Sequence, residues 1–262
     1  MKYKTHPTKM INLHRIYLGT KVLFFGPKDK RQRVLNELVR VIAKLLASNY
    51  VGESYKSWIK DKYFSEKFRA LSPHNFFSEE RKFALKEFSR SLKHMEGAVA
   101  ECGSYVGVSA WFIANELPEV DFYLFDSFEG LSKPGSKDKP PTGVYQWKEG
   151  DMQTTEEILR NNLAEFPNIH VMKGWIPNRF NYIESLQFRL VHIDVDLYQP
   201  TLDSLVFFYA RMNSGGIIIM DDYGFENCPG ASKAADDFMA DKPEQIIHLP
   251  TGQGIIIRYY DT

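Results

Sequence analysis

The chain has 262 residues, 44% of them apolar, which is enough for one large α/β domain with an appendage. Its two cysteines, Cys102 and Cys228, exclude a disulfide framework or a zinc-binding set, as expected of a protein from a reducing compartment such as the cytoplasm. Its apolar runs of about five residues are far shorter than the roughly 20 needed to cross a bilayer, and no signal peptide is visible.

Positive charge is concentrated at the N-terminus, although Lys and Arg balance Asp and Glu at 33 each over the whole chain. Residues 1–69 hold 16 Lys and Arg against 5 Asp and Glu, which leaves 17 against 28 for residues 70–262. The basic segment is either a solvated helical surface or a contact for an anionic partner, such as a membrane surface, an acidic glycan or a second subunit.

The first 95 residues are predicted to be helical. Apolar residues recur at helical spacing over 31–49, residues 54–69 resemble a second short helix, and Ser78 is a plausible N-cap for a helix over 78–94. We expect residues 1–95 to form an appendage that packs against the rest, mediates homo-oligomerisation or covers the active site.

From residue 96 the hydrophobic period alternates between strand and helix. This order predicts a second domain, 96–262, built on a doubly wound sheet whose last two strands form an antiparallel hairpin at one edge. The loop over 131–153 is rich in Pro, Gly and Lys, and a loop of that length is usually functional or disordered. The predicted strands are 97–102, 121–126, 169–173, 188–194, 216–221, 245–249 and 254–259, and the predicted helices are 107–117, 154–166, 178–186, 200–212 and 231–240.

A glycine turn over 101–107 joins the first of these strands to its helix. Gly103 lets the backbone approach a ligand closely, and the helix start offers amide donors. Asp126 ends the next strand, 23 residues after Gly103, where an acid is placed to bind ribose hydroxyls. The alternative is that the glycine turn has only a structural role and that Asp126 caps the turn that follows its own strand. Together the two features favour an adenosine-type ligand.

Two later strands each end in a pair of acids. Asp194 and Asp196 follow one strand, Asp221 and Asp222 the next, and neighbouring parallel strands would bring these carboxylates together. Their mutual repulsion favours a divalent cation with oxygen ligands, such as Mg²⁺, Mn²⁺ or Ca²⁺. The alternative is that the acids cap helices and pair with Lys or Arg.

Two further residues lie near these strand ends. His192 lies within a strand, where a satisfied core histidine is the more ordinary role than a ligand or base. Trp175 follows another strand end and either stacks on an adenine ring or packs in the core.

Five short stretches follow one another along the chain: Glu101-Cys102-Gly103, Asp126–Leu131, Lys173-Gly174-Trp175, Asp194–Tyr198 and Gly215–Gly224. Together they resemble the macrocin O-methyltransferase family, class I S-adenosylmethionine-dependent enzymes that methylate sugar hydroxyls of macrolide and related antibiotics. Val195 departs from the family pattern, which has glycine there, and so does Gln199-Pro200 after Tyr198.

The resemblance implies a Rossmann-like, doubly wound seven-stranded sheet of the class I methyltransferase type. It implies that Asp194, Asp221 and Asp222 hold Mg²⁺ (or Mn²⁺) and that Asp196 is the general base. It further implies S-adenosylmethionine bound by Glu101, Gly103 and Asp126, and we expect the same ligand to contact Ser104, Tyr105, Ser109, Ser127, Gly174, Trp175 and Asp194.

The resulting hypothesis is metal-assisted O-methylation of a small molecule or glycan, with no nucleic-acid partner because the second domain is acidic and lacks an aromatic-basic stripe. The main alternative is an NAD(P)-dependent dehydrogenase or epimerase on a similar sheet. A non-catalytic glycan- or membrane-binding module is a second, but it gives no reason for four acids at strand ends.

Overall fold

The computed structural model describes residues 57–72 and 78–259, together with positions 23, 24, 26, 27, 31, 34, 35, 38 and 42. The chain divides into two compact units, Met1–Lys60 and Asp61–Thr262. In the first unit, the described positions from 31 to 42 are helical and Ser57–Lys60 forms a 3-10 turn. The rest of the helix predicted over 31–49 lies outside the described residues.

The second unit begins earlier than the predicted boundary at residue 95. Helices α1 (Lys62–Leu71) and α2 (Glu79–Ser91) belong to the same unit as the sheet. The reason is apolar packing: Phe64 of α1 lies 4.7 Å, ring centre to ring centre, from Phe112 of the sheet domain, and both are buried. A role for the N-terminal residues as a cap or an oligomerisation surface stays a prediction.

Helix α2 begins as predicted. The Ser78 side chain accepts a hydrogen bond from the Arg81 amide at 3.4 Å, and Glu79 and Glu80 occupy the first turn, where the helix dipole favours acids. This N-cap confirms the start of the predicted helix.

Seven strands form one sheet in the order β3-β2-β1-β4-β5-β7-β6. Strands β1 to β5 pair in parallel, and β7 runs antiparallel to both β5 and β6. This confirms the predicted doubly wound sheet with an antiparallel edge hairpin. The strands are β1 (Ala98–Cys102), β2 (Phe122–Asp126), β3 (Ile169–Lys173), β4 (Phe188–Ile193), β5 (Met212–Met220), β6 (Ile247–His248) and β7 (Gly254–Ile257).

The remaining helices follow the predicted order with shifted ends. Helix α5 (Tyr198–Tyr209) starts two residues before Pro200. A proline is tolerated in the first turn of a helix because the amide proton that it lacks would have no acceptor within the helix. The predicted helix over 178–186 is a 3-10 turn at Phe180–Ile183. The helices are α3 (Val108–Glu116), α4 (Glu156–Asn162), α5 (Tyr198–Tyr209) and α6 (Pro229–Met239).

The centre of the sheet is covered on its faces by apolar side chains. Every residue of β4 is buried, and Phe208 of α5 makes edge-to-face contacts with Phe125, Phe180 and Phe188. The register pairs Glu101 of β1 with His192 of β4 inside this apolar layer. The carboxyl ends of β1, β2, β4 and β5 therefore meet at one edge on a rigid base.

The long loop after β2 is anchored to the helix layer. It contains the 3-10 turn Ser136–Asp138, and the buried Asp138 carboxylate accepts hydrogen bonds from the amides of Gly135 and Tyr198, both at 2.7 Å.

Among the described residues, no helix combines the length and apolar character needed to cross a membrane.

Candidate active site

A cavity of about 610 Å³ opens at the carboxyl edge of the sheet. It is bounded by the glycine turn on one side and the acidic strand ends on the other. Of the predicted site residues, Glu101 lies beneath the cavity floor and does not line it. The others all line it: Gly103, Ser104, Tyr105, Ser109, Asp126, Ser127, Gly174, Trp175, Asp194, Asp196, Asp221 and Asp222.

The glycine turn passes close to the end of β4. Gly103 has a φ of 81°, and a Cβ atom there would lie 1.8 Å from the carbonyl oxygen of Asp194. Only glycine fits this left-handed position with backbone on top of it. The turn that borders the cofactor side is thereby held against the strand that carries the acids.

Asp126 organises this turn from the neighbouring strand. One carboxylate oxygen accepts the amides of Ser104 and Tyr105 at 3.0 and 2.8 Å, and the other accepts the Phe128 amide at 2.7 Å. Burial raises the pKa of Asp126, and these three amide bonds oppose the rise. The capping role considered from the sequence is therefore real, and a ribose contact would use the remaining lone pairs.

Two buried oxygens beside the turn have no hydrogen-bond partner among the described residues: Ser104 Oγ and Glu101 Oε2. Such groups cost free energy unless a ligand or water satisfies them. Ser104 lines the cavity, and Trp175, about one-third exposed, offers a ring at the same end. The donor set and ring fit a polar adenosyl ligand. Ser127 closes its own turn, accepting the Glu129 amide at 3.1 Å.

A chain of buried charged groups links the two sides of the cavity. His192 Nδ1 lies 2.8 Å from Glu101 Oε1, and His192 Nε2 lies 3.3 Å from Asp221 Oδ1. Burial would lower the pKa of His192, but its hydrogen bonds to Asp221 and Glu101 outweigh it and raise that pKa to about 9. His192 is thus a partnered core residue that joins the cofactor side to the acids.

The four acids converge as predicted, but two cations from helix α2 lie among them. Arg81 Nη1 is 2.5 Å from Asp221 Oδ2, and Lys82 Nζ is 3.6 Å from that same oxygen. Lys82 Nζ is also 3.6 Å from Asp194 Oδ2. Burial alone would raise the pKa of Asp221, but Lys82, Arg81 and His192 hold it well below its ordinary value.

The predicted metal set of Asp194, Asp221 and Asp222 does not fit a divalent ion in this arrangement. Both oxygens of Asp221 are occupied: Arg81 and Lys82 contact Oδ2, while His192 and Gln253 contact Oδ1. The described side chains fall instead into two potential ligand groups, His192–Asp194–Asp221 and Asp196–Asp222–Cys228. The acids instead form ion pairs with Arg81 and Lys82, which is the alternative considered from the sequence.

Asp196 forms no ion pair with these cations among the described residues, and its backbone conformation is uncommon. Its φ is +59°, a left-handed conformation that non-glycine residues rarely adopt. Its amide donates to Asp222 Oδ2 at 3.2 Å, and its Oδ1 accepts the thiol of Cys228 at 3.3 Å. Burial, and then the charge of Asp194, raises the pKa of Asp196 to about 7.

The outer wall of the cavity is aromatic. Trp147, from the loop after β2, donates its indole N–H to Cys228 Sγ at 3.4 Å and stacks edge-on against Tyr145. Phe225 lies on the opposite side, 4.6 Å beneath the Arg81 guanidinium. Apolar ring faces beside buried carboxylates suit an acceptor that has both hydroxyls and an apolar surface.

Sequence reasoning missed Arg81, Lys82, Trp147 and Cys228 as site residues. Trp147 and Cys228 lie in a loop and at a helix start, without a motif. Arg81 and Lys82 gave one usable signal: they are adjacent cations in the first turn of a helix that Ser78 caps.

Residues 31–250 match the profile of the family described as macrocin-O-methyltransferase (TylF). The chain is 26% identical over 145 residues to the mycinamicin III 3''-O-methyltransferase of Micromonospora griseorubida, covering 50% of this chain and 57% of the relative. It is 23% identical over 134 residues to the demethyldecarbamoylnovobiocin O-methyltransferase of Streptomyces niveus, covering 48% and 50%. The chain spans about half the length of the curated relatives it matches.

The similarity to solved structures covers a larger share of the chain than the similarity to these relatives. The O-methyltransferase NovP superposes with a TM-score of 0.60 at 20% identity, covering 72% of this chain and 84% of its own. The calicheamicin methyltransferase CalS11 gives 0.59 at 15%, covering 97% and 94%. The S-adenosylhomocysteine-bound methyltransferase PaMTH1 of Podospora anserina gives 0.55 at 14%, covering 86% and 96%. At these identities the likeness shows a shared fold, the Rossmann-like fold of class I methyltransferases.

Proposed function

Because this chain belongs to the macrocin O-methyltransferase family, we propose that it transfers the methyl group of S-adenosylmethionine to a hydroxyl of a sugar or glycosylated small molecule. One observation carries the proposal: the glycine turn, with its unpartnered Ser104 oxygen, and the acidic strand ends border one cavity. The curated relatives are named as O-methyltransferases of mycinamicin III and of demethyldecarbamoylnovobiocin, and this supports a similar class of acceptor.

The donor, when bound, supplies an electrophilic methyl group on a sulfonium. The turn around Gly103 and the Asp126 carboxylate orient it, while Ser104 offers the hydroxyl that lacks a partner. Trp175 lines the same cavity, and its ring would cover the adenine. Binding in this groove leaves the acid side of the cavity to the acceptor.

Asp196 is the residue we propose as general base. Its carboxylate lines the cavity, and only Cys228 contacts Oδ1 among the hydrogen bonds described for that side chain. The acceptor oxygen forms its bond to the methyl carbon while its proton passes to Asp196, and the carbon–sulfur electron pair stays on sulfur. The aromatic wall of Trp147 and Phe225 excludes water from this reaction.

The family resemblance implies Mg²⁺ or Mn²⁺ at Asp194, Asp221 and Asp222, but the described arrangement of these side chains does not fit such an ion. Arg81 and Lys82 form ion pairs with those acids in the described arrangement, and no step of the proposed mechanism depends on a metal ion. A cytoplasmic location, homo-oligomers through the N-terminal residues and the lack of a nucleic-acid partner are proposals. Light scattering on the purified chain tests the assembly.

The experiment that tests the function has two arms. Calorimetric titration with S-adenosylhomocysteine should give one site per chain, and titration with NAD should give none. Incubation with S-adenosylmethionine and a panel of glycosides and their aglycones, followed by mass spectrometry, should add a single methyl group to glycosides only. Binding of NAD in place of S-adenosylhomocysteine would instead favour the dehydrogenase alternative.

A further inference from the structure

We propose that Arg81 and Lys82 are built-in counter-ions that take the place of a divalent cation at the acidic strand ends, so that this chain neither binds nor needs one there. The inference rests on the proposed function for its meaning. Its physical content, the exclusion of a metal ion by side-chain cations, concerns the protein alone.

The first support is the position of the Lys82 ammonium. It is equidistant, at 3.6 Å, from Asp194 Oδ2 and Asp221 Oδ2, the two oxygens that a shared metal ion would bridge. The Lys82 side chain is only 3% exposed, so it is packed against other side chains and not solvated. A divalent ion between those oxygens would lie within a few ångströms of the buried ammonium, and like charges at that distance repel strongly.

The second support is the position of Arg81. Its Nη1 atom lies 2.5 Å from Asp221 Oδ2 and 3.9 Å from Asp222 Oδ1, so it spans the two consecutive acids at the end of β5. The guanidinium lies 4.6 Å from the centre of the Phe225 ring, which fixes its plane. Arg81 and Lys82 together therefore connect all three acids of the predicted metal set.

The third support is the other face of Asp221. Its Oδ1 atom lies 2.8 Å from Gln253 Nε2 and 3.3 Å from His192 Nε2, so a metal ion could not bind there without displacing a buried partner. A carboxylate offers about four lone-pair directions, and all four of this one have a protein neighbour. The Asp221 carboxylate is thus fully partnered by side chains of the described residues.

The test measures metal binding directly, without methyl donor or acceptor. Mn²⁺ is titrated into the full chain and free Mn²⁺ is followed by electron paramagnetic resonance, with thermal unfolding recorded in parallel. The variants are Lys82→Met, which keeps the length and removes the charge, and Arg81→Gln. The matched control is Lys86→Met on the same helix, since Lys86 pairs with Asp61, away from the acids.

The wild type and Lys86→Met should bind no Mn²⁺ and show no rise in unfolding temperature with Mn²⁺. Lys82→Met and Arg81→Gln should bind Mn²⁺ at least about tenfold more tightly than the detection limit that bounds the wild type, or should be stabilised by Mn²⁺ if the loss of charge destabilises them. Stoichiometric Mn²⁺ binding by the wild type overturns the inference and leaves methyl transfer untouched. Failure of every variant to gain affinity also overturns it, because something other than these cations would then exclude the ion.

Discussion

Nδ1 of His192 lies 2.8 Å from Oε1 of Glu101, and the two residues are register partners on strands β4 and β1. Both are fully buried, so the pair is a charged connection inside an apolar sheet. Such a connection is costly to break from one side, because the remaining partner is left as an uncompensated buried charge. It therefore makes the stability of the domain depend on pH.

The free energy of unfolding should fall as pH rises from 6.5 through 9. The folded pKa of His192, about 9, exceeds its ordinary value of 6.5, so its contribution is complete below 6.5 and is lost above 9. The loss is on the order of 3 kcal/mol. Urea unfolding across this range measures it, with His192→Gln as the control. Parallel curves for the two proteins would contradict the assignment.

Replacing Ser104 with Ala should have opposite effects on stability and on donor affinity. Removing a buried, unpartnered hydroxyl should leave the unfolding free energy unchanged or raise it by about 1 kcal/mol, while the affinity for S-adenosylhomocysteine falls about tenfold. Calorimetry and urea unfolding measure the two effects. Thr201→Val is the matched control, since Thr201 Oγ1 is also buried without a partner but Thr201 does not line the cavity. Equal affinities for wild type and Ser104→Ala would rule out the hydroxyl as a ligand contact.

Gly103→Ala should destabilise the fold more than Gly143→Ala. Both glycines have positive φ, so each substitution carries a backbone cost of about 1–2 kcal/mol. Of the two, only Gly103 has backbone in the way, 1.8 Å from the added Cβ at the Asp194 oxygen, whereas no atom of the described residues lies within 4 Å of a Cβ at Gly143. Urea unfolding of the two variants gives the comparison. Similar losses would mean that the turn and the β4 end are free to separate.

Asp196→Asn should lower kcat about 10²- to 10⁴-fold without changing the affinity for S-adenosylhomocysteine. The amide keeps the size of the side chain and removes its ability to take a proton. Steady-state kinetics and calorimetry separate the two effects. Asp241→Asn is the control, because the Asp241 side chain is 80% exposed and contacts only Lys242 among the ion pairs described. A fully active Asp196→Asn would move the base to another residue.

The value of kcat/KM should rise with pH through about 7 and then level off. The pKa of Asp196 is raised to about 7, and the carboxyl group accepts a proton only in its ionised form above that value. A rate profile measured across this range checks it. The rising limb should disappear from the residual activity of Asp196→Asn, and a limb that persists in that variant would belong to a different group.

The positions of the acids were predictable from sequence because their logic is local. An apolar strand that stops on an acid places that acid at the strand end, and the parallel order of β1, β2, β4 and β5 gathers such ends at one edge. The same reasoning predicted every strand in its place along the chain, with ends that moved by a few residues.

The counter-ions were not predictable in this way because the contact is non-local. Arg81 and Asp221 are 140 residues apart in the chain, and nothing in the pattern of either segment names the other. The boundary at residue 95 failed for the same reason: an amphipathic helix with charged residues resembles an appendage until its packing partner is known. The left-handed backbone of Asp196 was equally hidden, since no turn residue marks it.

The contacts that α2 makes with the acidic strand ends also limit how this protein can be truncated or recombined with another. A fragment that begins at the predicted boundary would carry the whole sheet yet leave Asp194 and Asp221 buried without their basic partners. Any transplant, chimaera or minimal version of this scaffold must therefore retain the two residues that follow Glu80, since the helix that carries them completes the acidic edge as an integral component.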